Sequence, residues 1–219
     1  AASDVYKRQL QQTLTERGIL VMKHDFTNDI SCYLARLQAT IGKLDKNEIN
    51  TFINLLIEAR DRDRQIFIMG NGGSAATASH YCCDFNKGAS YGYDKRFKFI
   101  CLNDNVAGMM AYANDVSYDD VFVEQLKNFY QNGDVVIGIS GSGNSKNVLK
   151  AIEYANANGG LTIGLTGFDG GKLRQMAKYS VNMNIDDMQI SEDLHMMLDH
   201  LSMKVITNNM ISETLAKAE

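Results

Sequence analysis

The sequence predicts an α/β fold: a flavodoxin-like, doubly wound, five-stranded parallel sheet with extra helices before it and one long helix after it. Three observations predict it. Past residue 60, short β-branched apolar runs alternate with segments of helical periodicity, as βαβ crossovers require. Two of those runs end in glycine- and serine-rich turns that lead straight into a helical pattern, where doubly wound sheets bind their ligands. The 219 residues, 45% hydrophobic and 22% charged, suit one good core and no second. We therefore expect residues 1–60 to be a helical segment packing on the same domain, and 61–219 to be one structural unit.

The elements follow in order. The opening AASDVYKRQ has little periodicity and is assigned no role. Residues 25–44 carry Ile30, Tyr33, Leu34 and Leu37 at i, i+3, i+4, i+7, one stripe of a helix. Asp45 and Glu48 fit a capping box opening a second helix, with Ile49, Phe52, Ile53 and Leu56 as its buried face. Strands are expected at 65–69, 97–102, 134–139, 161–165 and 179–182. Val135, Val136, Ile137 and Ile139 give the third the run of a strand buried on both faces. Helical patterns lie near 75–85, 105–130, 144–158 and 171–177. A last helix spans about 189–216, with Leu194, Met197, Leu198, Leu201 and Val205 as its buried stripe. Angular spacing puts Glu192, His195, Asp199 and His200 off that stripe and outside the core.

Composition excludes several classes. A net charge of −4 offers no basic stripe for nucleic acid. No apolar run nears the roughly 20 residues of a membrane span, and no signal-peptide core opens the chain. A cytoplasmic protein is expected, with neither nucleic acid nor membrane as partner. Cys32, Cys82, Cys83 and Cys101 show no C-x-x-C spacing and read as reduced, core-lining thiols.

The chemistry concentrates in four places. Ser140, Gly141, Ser142, Gly143, Asn144 and Ser145 form a strand-to-helix turn. Its backbone N–H groups, helix dipole and hydroxyls make an anion cradle, or else an ordinary serine-rich turn. It lacks the lysine of triphosphate-binding loops, which favours a monophosphate. Gly70, Asn71, Gly72, Gly73, Ser74 and Ala75 form a second such turn. It matches the dinucleotide fingerprint only formally, because the next strand ends over thirty residues on, so no nucleotide cofactor is expected. Two such turns suggest one ligand held between them. His80 and Asp84, at i and i+4, share a helix face as an acid/base or metal-binding pair, or as a solvated contact. Glu192, His195, Asp199 and His200 crowd nine residues of the final helix, as functional groups or as an exposed polar face. Asn105 closes the second strand, where it either touches substrate hydroxyls or caps a helix. Asn114 and Asp115 read as lying between two helices, and Lys172 and Arg174 as a solvated helix face.

Together the blocks GNGGSAATASHYCCD (70–84), YANDVSYDDVF (112–122), GISGSGNS (138–145) and EDLHMMLDH (192–200) resemble the sugar isomerase (SIS) domain, and within it the sedoheptulose 7-phosphate isomerases. The resemblance covers nearly the whole chain. It implies an aldose–ketose isomerase that carries sedoheptulose 7-phosphate to a heptose 7-phosphate through an enediol(ate), for heptose biosynthesis. It implies Asp84 as base, His200 as acid, and Ser140, Ser142 and Ser145 as phosphate-binding hydroxyls, with Ser74 and Asn71 contributing. The full substrate-binding set expected is Asn71, Gly72, Gly73, Ser74, Asn105, Ser140, Gly141, Ser142, Ser145, Gln189 and Glu192. Some members bind zinc, here implying His80, Asp84, Glu192 and His200 as ligands, and the family forms homotetramers. The chain departs from the family at three positions: Asp84 replaces a glutamate, Glu192 a glutamine and Gln189 an aspartate. The competing reading is a non-catalytic module that senses a phosphosugar or docks a protein.

Overall fold

The computed structural model describes residues 24–216, with side chains through Met210, and contains eight α-helices and five strands in the expected order. AASDVYKRQ lies outside the described residues. By its internal contacts the chain divides between Ala39 and Thr40. Helix α1 (Thr27–Ile41) begins where the Asp25 carboxylate accepts from Thr27 N at 2.9 Å and Thr27 Oγ1 at 2.6 Å. On it Ile30 and Leu34 are exposed, Tyr33 and Leu37 half-buried.

From Thr40 onward, α2 (Lys46–Asp61) is capped by Asp45, whose carboxylate accepts from Asn47 N at 2.7 Å and Glu48 N at 3.4 Å. The capping box forms only by half. Glu48 instead accepts from Asn182 N at 3.0 Å and Arg174 Nη2 at 3.1 Å. A backbone N–H at the sheet's edge strand has no other mate, so the tertiary partner wins over the local one. Ile49, Phe52, Ile53 and Leu56 are buried as expected.

The strands are β1 (Gln65–Met69), β2 (Lys98–Cys101), β3 (Val135–Ser140), β4 (Leu161–Thr166) and β5 (Tyr179–Asn182). They form one parallel sheet in the order β2-β1-β3-β4-β5, the flavodoxin-like order. All six residues of β3 are buried, as its central place demands. The crossovers are α3 (Gly73–Cys83), α4 (Val106–Asp115), α5 (Val121–Phe129), α6 (Lys146–Ala157) and α7 (Gly171–Met176), followed by α8 (Met188–Ala216). Alternation along β1 sends Phe67 and Met69 to one face, where they join Val136, Phe122, Leu126, Val148 and Ile152. The rings of Phe52, Tyr81, Phe85 and Phe99 stack or meet edge-on at centroid separations of 4.7–6.4 Å, joining α2, α3 and β2.

Four expectations need correction. The 105–130 pattern is two helices: Ser117, extended at φ −170° with its hydroxyl accepting from Asp119 N, starts a separate 3-10 turn at Tyr118–Asp120. Asn114 and Asp115 close α4 and do not lie between helices. Only Cys101 is buried; Cys82 is half-buried, while Cys32 and Cys83 are exposed.

The fourth concerns α8. Its buried residues are Ile190, Ser191, Leu194, His195, Leu198, Asp199, Ser202 and Ile206. At 100° per residue these fill an arc of about 180°, its centre rotated roughly 60° from the expected stripe. Val205 is 40% exposed, whereas His195 and Asp199 are wholly buried. The physical cause is partnership on two sides: α8 packs on both α3 and α2, so a wider arc than one apolar stripe leaves solvent.

Candidate active site

The order of the sheet reverses between β1 and β3, and both glycine- and serine-rich turns follow those two strands. That is the crevice in which doubly wound folds hold ligands. A reciprocal amide pair ties the turns together. Asn71 Nδ2 donates to Asn147 Oδ1 at 2.9 Å, and Asn147 Nδ2 donates to Asn71 Oδ1 at 2.9 Å. Tyr118 Oη donates to the same Asn71 oxygen at 2.9 Å, and Asn147 Oδ1 also accepts from Val148 N. Asn71 is thus committed to holding the two turns in register. Asn103 steadies the first turn, accepting from Gly70 N at 3.1 Å and donating to Gly70 O at 2.9 Å.

In the second turn, Ser140 Oγ and Ser145 Oγ lie 3.1 Å apart and Ser142 Oγ accepts from Asn144 N at 3.3 Å. Ser145 occupies the cap position of α6 yet makes no side-chain cap bond; Val148 N goes to Asn147 Oδ1, which leaves the N–H groups of Lys146 and Asn147 at the positive end of the helix dipole for an anion. Gly143 turns the chain at φ +65°, and a Cβ there would overlap the Gly170 carbonyl. Both reasons call for glycine. Gly141 lies under Met188, the first residue of α8.

Helix α3 starts at Gly72 (φ +55°) without a side-chain cap. The Glu192 carboxylate packs on the Cα of Gly73. A carboxylate suits a helix N-terminus, so the protein's own charge occupies this end of α3. Ser74 is buried. Asn105 takes the capping role, its Oδ1 accepting from Gly108 N at 3.1 Å. Gln189 is exposed in the first turn of α8.

At the far end of α3 the expected catalytic groups converge. His80 Nε2 lies 3.7 Å from Asp84 Oδ1, and His200 Nε2 lies 3.8 Å from Asp84 Oδ2. The two imidazole Nε2 atoms are 2.9 Å apart. Asp84 is the most sheltered of the three, its side chain 17% exposed against 40% for His80 and 56% for His200. Asp84 opens a π-helical turn (Asp84–Gly88), a distortion found often at functional sites. Glu192, the remaining expected ligand, stands apart: eight residues on α8 set it about 12 Å from His200 along the axis.

The three donors fit a cation. Two imidazoles and a carboxylate suit Zn²⁺, and all three ligand atoms lie within 4.8 Å of one another. Bonds of 2.0–2.1 Å at a tetrahedral angle place two nitrogens roughly 3.3 Å apart. The observed 2.9 Å requires the rings to open by only a few tenths of an ångström.

Behind the trio runs a buried polar stripe, of which His195 and Asp199 were expected outside the core. Tyr81 Oη, both His195 ring nitrogens, both Asp199 carboxyl oxygens and Ser202 Oγ are buried without a hydrogen-bond partner. Burial, with the nearby Asp84 charge adding to it, pushes Asp199 up to about 8. Burial lowers His195 to about 4 against a weaker upward pull from the Thr166 backbone, whose alignment with the ring falls short of a hydrogen bond. Burial and then Asp199 raise Tyr81 well above the ordinary tyrosine value. At neutral pH both His195 and Asp199 are uncharged, which is how a core accommodates them.

Comparison with known proteins fits this geometry. The SIS domain family matches residues 26–167. The chain belongs to that family. This SIS domain is 34% identical over 172 residues to the phosphoheptose isomerase of Helicobacter pylori, covering 77% of this chain and 88% of the relative. It is 32% identical over 178 residues to a probable phosphoheptose isomerase of Thermoplasma volcanium, covering 81% and 90%. A solved phosphoheptose isomerase from Neisseria gonorrhoeae superposes with a TM-score of 0.77 at 27% identity, covering 84% of this chain and all of that one. The protein is an enzyme of the isomerase class.

Sequence reasoning missed Asn147 and Tyr118, which fix Asn71. An asparagine in the first turn of a helix and a tyrosine after a loop carry no signal of their own.

Proposed function

We propose that this SIS domain interconverts sedoheptulose 7-phosphate and a heptose 7-phosphate. The observation that carries the reading is the meeting of Asp84 and His200 from two distant segments, along the helix that begins at the paired turns. Phosphate rests in the 140–145 turn, donated to by Ser140, Ser142, Ser145 and the uncapped N–H groups of α6. Asn71 and Ser74 hold the first turn against it. From Ser74 to His80 the rise of α3 is roughly 9 Å. A substrate anchored at its phosphate therefore needs a chain of several carbons to present its carbonyl end to Asp84. The relatives named as phosphoheptose isomerases support a seven-carbon chain.

Asp84 takes the proton from the carbon beside the carbonyl, giving an enediol(ate), and His200 returns a proton to complete the shift between C1 and C2. Remote phosphate contacts position the reacting carbons. His80, Asp84 and His200 would hold a zinc ion, while Glu192 stays at the N-terminus of α3. Such an ion would supply Lewis-acid polarisation of the carbonyl oxygen. The protein works as a homotetramer in the cytoplasm; exposed apolar residues such as Val106 and Met110 on α4 support self-association.

The test is incubation of the protein with a panel of ketose phosphates in deuterated water, with and without chelator. Deuterium at C2 of a heptose phosphate is expected. Binding of phosphosugars with no exchange on any of them would overturn the catalytic reading in favour of a sensor.

A further inference from the structure

The edge of the sheet opposite the candidate active site carries a cavity of about 300 Å³. It lies where β1, β3, β4 and β5 begin and where α2 ends, with Leu55, Ala59 and Val135 among its apolar lining. Its charged groups are Arg62, Arg64, Lys178 and Glu58. Three cations against one carboxylate in the lining, with the buried Asp134 carboxylate beside it engaged by Gln65 N and Gln131 N, still leave a local excess of positive charge in a chain whose net charge is −4. Glu58 engages Arg62 alone, at 2.9 Å through Nη2.

The other two cations are held by neutral carbonyls. Lys178 Nζ donates to Gly160 O at 2.6 Å, and Arg64 Nη1 donates to Asn132 O at 3.3 Å. These bonds orient the side chains without cancelling their charge. A guanidinium has five N–H donors and an ammonium three, so each cation keeps donors for a further acceptor. Gly133, at φ +91°, allows the Arg64 guanidinium to lie on the lead-in to β3; a Cβ there would sit 3.2 Å from its Cζ. The arrangement is thus built by backbone geometry on several segments.

We propose that this cavity binds a small, multiply charged oxyanion of the phosphate class, free or as an ester, at a site separate from the catalytic one. Arginine forks match phosphate oxygens in a bidentate fashion. The six residues of β3 put the cavity about 20 Å from the 140–145 turn. Occupation of one therefore does not exclude the other.

Calorimetric titration of the full chain with inorganic phosphate at fixed ionic strength tests this. The Ser140→Ala/Ser142→Ala variant removes the catalytic-turn hydroxyls and is expected to keep one phosphate per chain at the cavity. Adding Arg62→Ala/Arg64→Ala is expected to weaken that binding on the order of tenfold or more, the loss expected for a charged hydrogen bond. Should the arginine variant fail to fold, Lys178→Gln reads the same weakening with both arginines in place. Glycerol 3-phosphate, titrated in parallel, distinguishes an ester site from one for free phosphate. Absence of phosphate binding in the serine variant, or binding indifferent to Arg62, Arg64 and Lys178, overturns the proposal. Turnover of the wild-type isomerase is measured separately, so failure of either reading is distinguishable.

Discussion

Replacing Asp199 with asparagine should remove a stretch of pH dependence from the stability of the fold. Asp199 is fully buried, two helical turns from Glu192 and adjacent to His200. Burial first, and the Asp84 charge second, hold its carboxyl at about 8, whereas an unfolded aspartate titrates near 3.9. A group raised on folding contributes stability that is complete below its unfolded value and lost as pH rises through its folded one. Below about pH 4 both states carry the proton; between 4 and 8 only the folded state does. His195 runs the other way. Held at about 4 against 6.5 unfolded, it contributes stability present above 6.5 and lost as pH falls toward 4. The two slopes oppose each other from 4 to 6.5, and above 6.5 Asp199 acts alone.

At 1.36 kcal/mol per pKa unit, the 1.5 units from pH 6.5 to 8 amount to about 2 kcal/mol of stability lost on the alkaline side. The assay is urea unfolding of wild type and Asp199→Asn at fixed protein concentration, with chelator, at half-unit steps from pH 5.5 to 8.5. The difference between the two curves cancels His195 and every other shared titration. It should fall by about 2 kcal/mol between pH 6.5 and 8 and then level off. Parallel curves across that window would refute the reasoning, because they would mean that Asp199 is ionised or solvated in the folded protein. A slope confined to acid pH would mean that Asp199 itself titrates in the ordinary carboxylate range in the folded protein.

Asp84→Asn and His200→Ala should each lower kcat by on the order of a hundredfold or more while phosphosugar binding, read by calorimetry, stays largely intact; full turnover in either variant removes the assigned role. Gly143→Ala forces a side chain into a left-handed position against the Gly170 carbonyl. It should cost more than about 1 kcal/mol in unfolding free energy and raise KM, and an unchanged KM would separate the 140–145 turn from phosphate. Asn147→Ala cuts the amide pair to Asn71 and should destabilise by about 1–3 kcal/mol. Its kinetic effect should fall on KM more than kcat, and the reverse split would place Asn147 in the chemistry.

Much of this architecture is legible in the sequence because its signals are local. β-Branched runs such as Val135 to Ile139 favour strands buried on both faces, and the i, i+4 spacing of His80 and Asp84 survives folding unchanged, as a shared helix face must. The meeting of His80 with His200 is another matter. Their Nε2 contact closes 120 residues of chain, and no spacing rule reaches that far; family resemblance alone pointed to it. The tie between Asn71 and Asn147 was invisible for a related reason. Amide side chains serve caps, turns and long-range pairs alike, and only the folded sheet brings two turns within reach.

The rotation of α8 shows how hydrophobicity itself misleads beside an active site. A stripe drawn through Met197, Leu201 and Val205 sorts His195 and Asp199 to solvent, because charged residues are seldom buried. Yet Ile190 and Ile206 are buried, and on the helical wheel Ile206 falls between His195 and Asp199, about 20° from each. Including them would have moved the centre of the buried arc toward His195. The fold accepts those groups because burial neutralises them, His195 by releasing its proton and Asp199 by keeping one. Charge at model-compound values is what the sequence displays; the charge that decides burial is set after folding, by the packing that pattern alone was meant to predict.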